Sequence, residues 1–158
     1  MSDSRVETGV VPAEVFRTLA GIDLLRGMLD GTYPSAPITA TLGFAITEVA
    51  PGRVVFAGVP RFEHYNPLGS VHGGWTATLL DSCMGCAVHS LLPAGRGYTT
   101  LEFKVTFIRP VLDATGTVRA EGTTLNVGRS AGTAEGRLVD ARGRLLAHGT
   151  TTCMVFPL

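Results

Sequence analysis

Apolar and polar positions divide the chain into two helical patterns set among strands. From Pro12, apolar side chains recur at spacings of three and four (Val15, Phe16, Leu19, Ile22, Leu24, Leu25, Met28), which predicts a helix that Gly31 closes. Tyr33-Pro34-Ser35-Ala36-Pro37 reads as a linker. A hairpin follows, Gly43 to Val49 and Arg53 to Val59, turning at Pro51-Gly52. Residues 60–71 form a loop rich in aromatic and polar side chains. Trp75 to Leu92 is apolar almost all the way round a helical wheel, and such a helix is buried rather than laid on a surface. At roughly 1.5 Å per residue it would be about 27 Å long.

Beyond Pro93, Gly95 and Gly97 the period shortens to two. Tyr98 to Arg109 alternates strictly, with Leu101, Phe103, Val105 and Phe107 on one face and Thr100, Glu102, Lys104 and Thr106 on the other. Strands are also predicted over Thr115 to Thr124, Ser130 to Val139 and Arg144 to Phe156, and short turns between them predict an antiparallel meander. The order is helix, two strands, a buried helix and four strands. This is an α+β class in which a sheet curls around one long apolar helix.

Composition narrows the class of function. A chain of 158 residues suits one domain, and 45% hydrophobic content sustains a core. No run of 18 uncharged apolar residues is present, so no membrane span is expected. The start, Met1-Ser2-Asp3-Ser4-Arg5-Val6-Glu7, lacks the pattern of a secretory leader. Thirteen basic and 13 acidic groups leave no net charge, which argues against a nucleic-acid partner. Three cysteines make no disulfide framework, and the expected location is cytoplasmic. Within the neutral total, residues 1–95 carry five basic and eight acidic groups, and residues 96–158 the reverse. Twelve of the basic residues are arginine, which suits phosphate, although a genome biased toward Arg, Gly and Ala codons explains the same count.

Two features carry chemistry. Asp81 is the one acid in the apolar helix, where an uncompensated carboxylate costs several kcal/mol. Just before that helix stands Asn66-Pro67-Leu68-Gly69-Ser70-Val71-His72-Gly73-Gly74. Glycines at a helix start permit close approach to free backbone N–H groups, where the dipole favours negative charge such as an acyl-transfer oxyanion. A plain glycine-rich turn has the same composition. Gly73 and Asp81 lie eight residues apart, about 12 Å at the helical rise, too far for both to act on one carbonyl. Two such helices antiparallel across a two-fold axis would bring Asp81 of one subunit to Gly73 of the other. Cys83-Met84-Gly85-Cys86 sits mid-helix and reads as core packing, and no metal-ligand spacing is evident around His64, His89 or His148.

Asn66-x-x-Gly69-x-x-His72-Gly73-Gly74 with Asp81 nine residues beyond His72 resembles the signature of hotdog-fold acyl-CoA thioesterases. The branch is the phenylacetate-degradation (PaaI-like) and acyl-CoA thioesterase 13-like one. Thr100 to Pro110 resembles that family's third strand, and Leu125-Asn126-Val127-Gly128-Arg129 its turn before the fifth. The likeness spans roughly residues 40–156. It implies a hotdog fold, with five to six antiparallel strands wrapped around one central helix. Residues 1–36 would be an N-terminal helical extension and residues 37–158 the thioesterase domain.

The resemblance implies Asp81 as nucleophile or general base, Asn66 orienting the nucleophile or water, and the Gly73 N–H polarising the thioester carbonyl. His72 would hold that loop, and Thr100 would place a hydroxyl near the water. Gly74, Arg109 and the turn of Asn126, Gly128 and Arg129 would contact substrate, the arginines meeting CoA phosphates. No cofactor is implied beyond coenzyme A as part of the substrate. The partner is a second copy in a required homodimer, usually paired again into a homotetramer. Trp75 departs from the pattern and would narrow the acyl pocket or pack at the dimer interface. A hotdog hydratase or dehydratase would need an Asp that the segment around Asn66-Pro67-Leu68 lacks. A non-catalytic acyl-CoA-binding protein would have no need of Asp81.

Overall fold

The apolar segment folds as the helix expected of it. In the computed structural model, which describes residues 7–158, helix α4 runs Gly73–His89. Its buried residues include Trp75, Leu79, Leu80, Cys83, Met84, Ala87 and Val88 and, on the remaining side, Gly85 and His89, so burial reaches all round the helix. Ahead of it lie α1 (Ala13–Thr18), α2 (Gly21–Asp30), α3 (Pro37–Leu42), β1 (Phe44–Ala50) and β2 (Arg53–Gly58). After it come β3 (Arg96–Phe107), β4 (Val118–Val127), β5 (Ala131–Val139) and β6 (Leu145–Pro157). The N-terminal reading at residues 1–6 lies outside the described residues.

The first helical pattern is broken where periodicity gave no sign of it. Leu19 and Ala20 are extended between α1 and α2. The Gly21 N–H there donates to the Leu92 carbonyl (3.0 Å), so docking onto the end of α4 replaces a turn of continuous helix. Gly31, with φ 85°, ends α2 as expected. The supposed linker contains Pro37 at the first position of α3, where proline's missing N–H costs nothing.

All six strands join one antiparallel sheet in the order β1-β2-β4-β5-β6-β3. Only β4-β5-β6 is a meander. After α4 the chain crosses to the far side, and β3 pairs with β6 rather than with β4. The sheet wraps around α4, which is the hotdog fold. The wrap is close enough that a Cβ on Gly122 in β4 would lie 2.2 Å from the Cys83 carbonyl oxygen.

The strict alternation expected of β3 is interrupted. Its register against β6 shifts between Thr100 and Glu102, a bulge that places one extra residue on β3. Such a shift reverses which side chains face inward. Tyr98 and Thr100 therefore share the helix side with Val105, although counting by twos separates them. As an edge strand, β3 also leaves Leu101 60%, Phe103 41% and Phe107 57% exposed.

Candidate active site

Asp81 is half-buried on α4, beside β3, and the Thr100 hydroxyl donates to its Oδ1 at 2.9 Å. The bulge makes this contact possible by turning Thr100 inward. One hydrogen bond leaves the second carboxylate oxygen available to a water or a thioester carbon. Both residues line a cavity of about 390 Å³ together with Ser82, Cys86, His89 and Tyr98. The rest of its wall includes Phe16, Leu25, Met28, Ile38 and Thr39 on α1, α2 and α3, Ser35 just before α3, and Ile46 and Phe56 on β1 and β2. The segment up to residue 36 thus contributes to the surroundings of Asp81, which the sequence did not suggest.

The glycine-rich loop builds a different cavity, of about 360 Å³, lined by Asn66, Ser70, Gly73, Thr76, Phe107 and Arg109 among others. His72 is the N-cap of α4, and its Nδ1 accepts the Gly74 N–H at 2.9 Å. A histidine here does the work that Ser, Thr, Asn or Asp usually does, satisfying one orphan donor of the first turn. The Gly73 N–H has no acceptor among the described residues. Asn66 Oδ1 accepts from the Leu68 N–H (2.9 Å) and the Ser70 N–H (3.4 Å), while Nδ2 donates to Ser70 Oγ (3.1 Å). That arrangement fixes the turn and leaves one amide hydrogen free. The loop is tied down by Tyr65, whose hydroxyl donates to Asp113 Oδ1 and accepts the Asp113 N–H, both at 2.9 Å.

The sequence-predicted residues fall into two groups at opposite ends of β3. Asn66, Gly73 and Arg109 stand at its Phe107 end. Asp81 and Thr100 stand toward its Arg96 end. The turn carrying Asn126, Gly128 and Arg129 is also there, because the Arg96 guanidinium donates to the Arg129 carbonyl. Arg109 is exposed, with its guanidinium donating to the Leu145 carbonyl at 2.5 Å. Trp75 enters neither cavity. It is buried in the core, its indole Nε1 donates to the Leu42 carbonyl at 2.8 Å, and its ring stacks on His64. The Cys-x-x-Cys pair is unsuited to thiol exchange: burial pushes the Cys83 thiol well up and that of Cys86 up to about 12.

No sequence motif marks His89 and Tyr98. The signal for His89 is a second titratable side chain eight residues after Asp81 in a mainly apolar helix. Burial lowers the His89 pKa from 6.5 to about 4.

A model of the thioesterase superfamily matches residues 68–147. Acyl-coenzyme A thioesterase 13 of Homo sapiens is 32% identical over 136 residues, covering 81% of this chain and 91% of that protein. A protein of Halobacterium salinarum is 39% identical over 100 residues, covering 60% of this chain and 64% of that relative, less than two thirds of its length. Among solved structures, the phenylacetic acid degradation-related protein of Ralstonia eutropha JMP134 is 30% identical with a TM-score of 0.75, covering 82% of this chain and 98% of that one. A thioesterase family protein of Silicibacter pomeroyi is 27% identical with a TM-score of 0.76, covering 85% and 99%.

Proposed function

The chain belongs to the thioesterase superfamily, and from that premise we propose that it hydrolyses a medium-chain or aromatic acyl-CoA to free acid and CoA at sites shared between two protomers. The observation that carries the reading is the separation of two half-sites along one unpaired edge strand. Leu101, Phe103 and Phe107 on that edge are exposed, and an apolar sheet edge invites pairing with a second copy. A two-fold axis through the middle of β3 sets the Arg96 end of one strand beside the Phe107 end of the other. Asp81 and Thr100 of one protomer then face Gly73 and Asn66 of its partner. Two dimers joined again would make a homotetramer. A cytoplasmic location suits three cysteines held as free thiols.

In this arrangement the thioester carbonyl oxygen lies at the start of α4, where the Gly73 N–H and the helix dipole stabilise the developing oxyanion. Asp81 acts on the carbonyl carbon from the other side. As general base it takes a proton from water while the water oxygen adds; as nucleophile it forms an acyl anhydride that water then cleaves. In both cases the C–S bond breaks, the thiolate of CoA leaves and is protonated, and the acid is released. Thr100 fixes the carboxylate and Asn66 offers its free amide hydrogen to the water. Arg109 on one protomer and Arg129 on its partner would meet the CoA phosphates.

The test is free-thiol release over a panel of acyl-CoAs by wild type, Asp81→Asn, Gly73→Val and heterodimers of the two variants obtained by co-expression with different tags. Asp81→Asn should lose about a hundredfold or more. Valine at position 73 meets the Phe107 ring, since even a Cβ there lies 2.9 Å from it, and should be similarly impaired. A heterodimer carries one site with both defects and one with neither, so mixing should restore activity that neither homodimer has. No thiol release from any acyl-CoA, full activity of Asp81→Asn, or heterodimers no better than the parents would each overturn the reading.

A further inference from the structure

We propose that the part of the Asp81 cavity lined by His89 and Tyr98 is a polar subsite that selects acyl groups bearing an uncharged distal hydroxyl. The inference rests on the acyl-CoA thioesterase reading and specifies its substrate. His89 is only 6% exposed, between the ring of Phe16 (centroids 6.1 Å apart) and that of Tyr98 (5.1 Å). Neither of its ring nitrogens has a protein hydrogen-bond partner among the described residues. They are not sealed into the core either, because the only side-chain polar atom there that is both fully buried and unpartnered is Thr124 Oγ1. Each nitrogen therefore keeps some accessible surface, and His89 lines the cavity. Among the described residues the Tyr98 hydroxyl has one neighbour of hydrogen-bonding type, Cys86 Sγ at 3.9 Å, a weak sulfur contact.

Two such groups define their ligand. A neutral imidazole presents one donor and one acceptor, and a phenol can do either, so an alcohol satisfies both at once. An anion does not fit: no Arg or Lys lines the cavity, and burial keeps His89 uncharged near neutral pH. A saturated chain ending in methyl would leave the imidazole and phenol without partners. The apolar walls from Phe16, Leu25, Met28 and Ile38 suit the methylenes between the thioester and the hydroxyl. His89 stands eight residues beyond Asp81, about 12 Å along α4, with its side chain inclined back toward the helix start. The hydroxyl is thus carried near the end of a medium-length chain and not next to the carbonyl.

The experiment measures kcat/KM for hexanoyl-, octanoyl- and decanoyl-CoA and their ω-hydroxy counterparts, with wild type, Tyr98→Phe, His89→Phe and His89→Gln. At the chain length that reaches the subsite, wild type should prefer the hydroxylated substrate by about tenfold. Tyr98→Phe and His89→Phe should reduce that preference to about unity or below, while glutamine, which keeps a donor and an acceptor, should retain part of it. The ratio is taken within each variant, so a general loss of activity or folding cancels. A wild type that hydrolyses plain acyl-CoAs but discriminates against the hydroxyl at every length would overturn this proposal alone, as would a preference that survives both phenylalanine variants. Failure to hydrolyse any acyl-CoA would overturn the thioesterase reading and this proposal together.

Discussion

Alanine at position 122 would place a methyl carbon 2.2 Å from the Cys83 carbonyl oxygen, 2.3 Å from its carbonyl carbon and 2.7 Å from the Met84 nitrogen. All three are backbone atoms in the middle of α4, so no rotamer change relieves the overlap. The helix and β4 must separate by about 1 Å, and a gap of that order forfeits a quarter to a half of each dispersion contact it opens. Overpacking typically costs about 1–3 kcal/mol, and a collision with fixed backbone belongs at or above the top of that range. For a domain of this size, about 3 kcal/mol corresponds to a fall in Tm of roughly 6–12 °C. Gly136→Ala is the control, because its methyl meets mainly Met84 Cγ (2.8 Å) and Sδ (3.1 Å), parts of a side chain that can repack, and should cost about 1 kcal/mol. Thermal unfolding at one protomer concentration compares them. Gly122→Ala should also lower kcat, since Asp81 lies two residues from the displaced carbonyl. Equal losses in the two variants, or a Gly122→Ala protein melting with wild type, would refute the idea that sheet glycines set the position of the helix.

Two further tests address the ends of α4. His72→Ala removes the acceptor of the Gly74 N–H and should cost about 1 kcal/mol in denaturant unfolding, whereas His72→Asn, a better cap, should restore it; an asparagine variant as weak as alanine would exclude capping as the role. For His89 the folded pKa, about 4, lies below the unfolded value of 6.5. The unfolded chain then binds the proton first, so stability is lost as pH falls from about 6.5 toward about 4, by up to roughly 3 kcal/mol from this residue. The acid limb of stability against pH should therefore flatten in His89→Phe relative to wild type, and an unchanged limb would mean that His89 is not held neutral.

How far the fold could be read depended on whether each signal was local. An all-round apolar helix, a Pro51-Gly52 hairpin turn and a Gly31 stop are written in neighbouring residues, and each element formed where its pattern lies. The break at Leu19-Ala20 is not local: it depends on the Leu92 carbonyl, brought there by α4, and the 3.6-residue period continues through it undisturbed. The β3 bulge is harder still. Leu101 fits a regular alternation as well as its neighbours do, and only pairing with β6 exposes the extra residue. Yet that residue brings Thr100 to Asp81, so the central contact of the candidate site depends on what periodicity could not express. The apolar face read along Leu101, Phe103 and Phe107 raises the converse problem. Alternation registers only that such a face needs cover, not which chain supplies it. Here the helix covers it incompletely, and under the proposed dimer the remaining cover is a second β3. The distance between Gly73 and Asp81 on one helix imposes the same requirement from chemistry, and strand exposure reaches it independently. Both arguments fail together if an active monomer exists, which is why heterodimer complementation is the decisive measurement for the site.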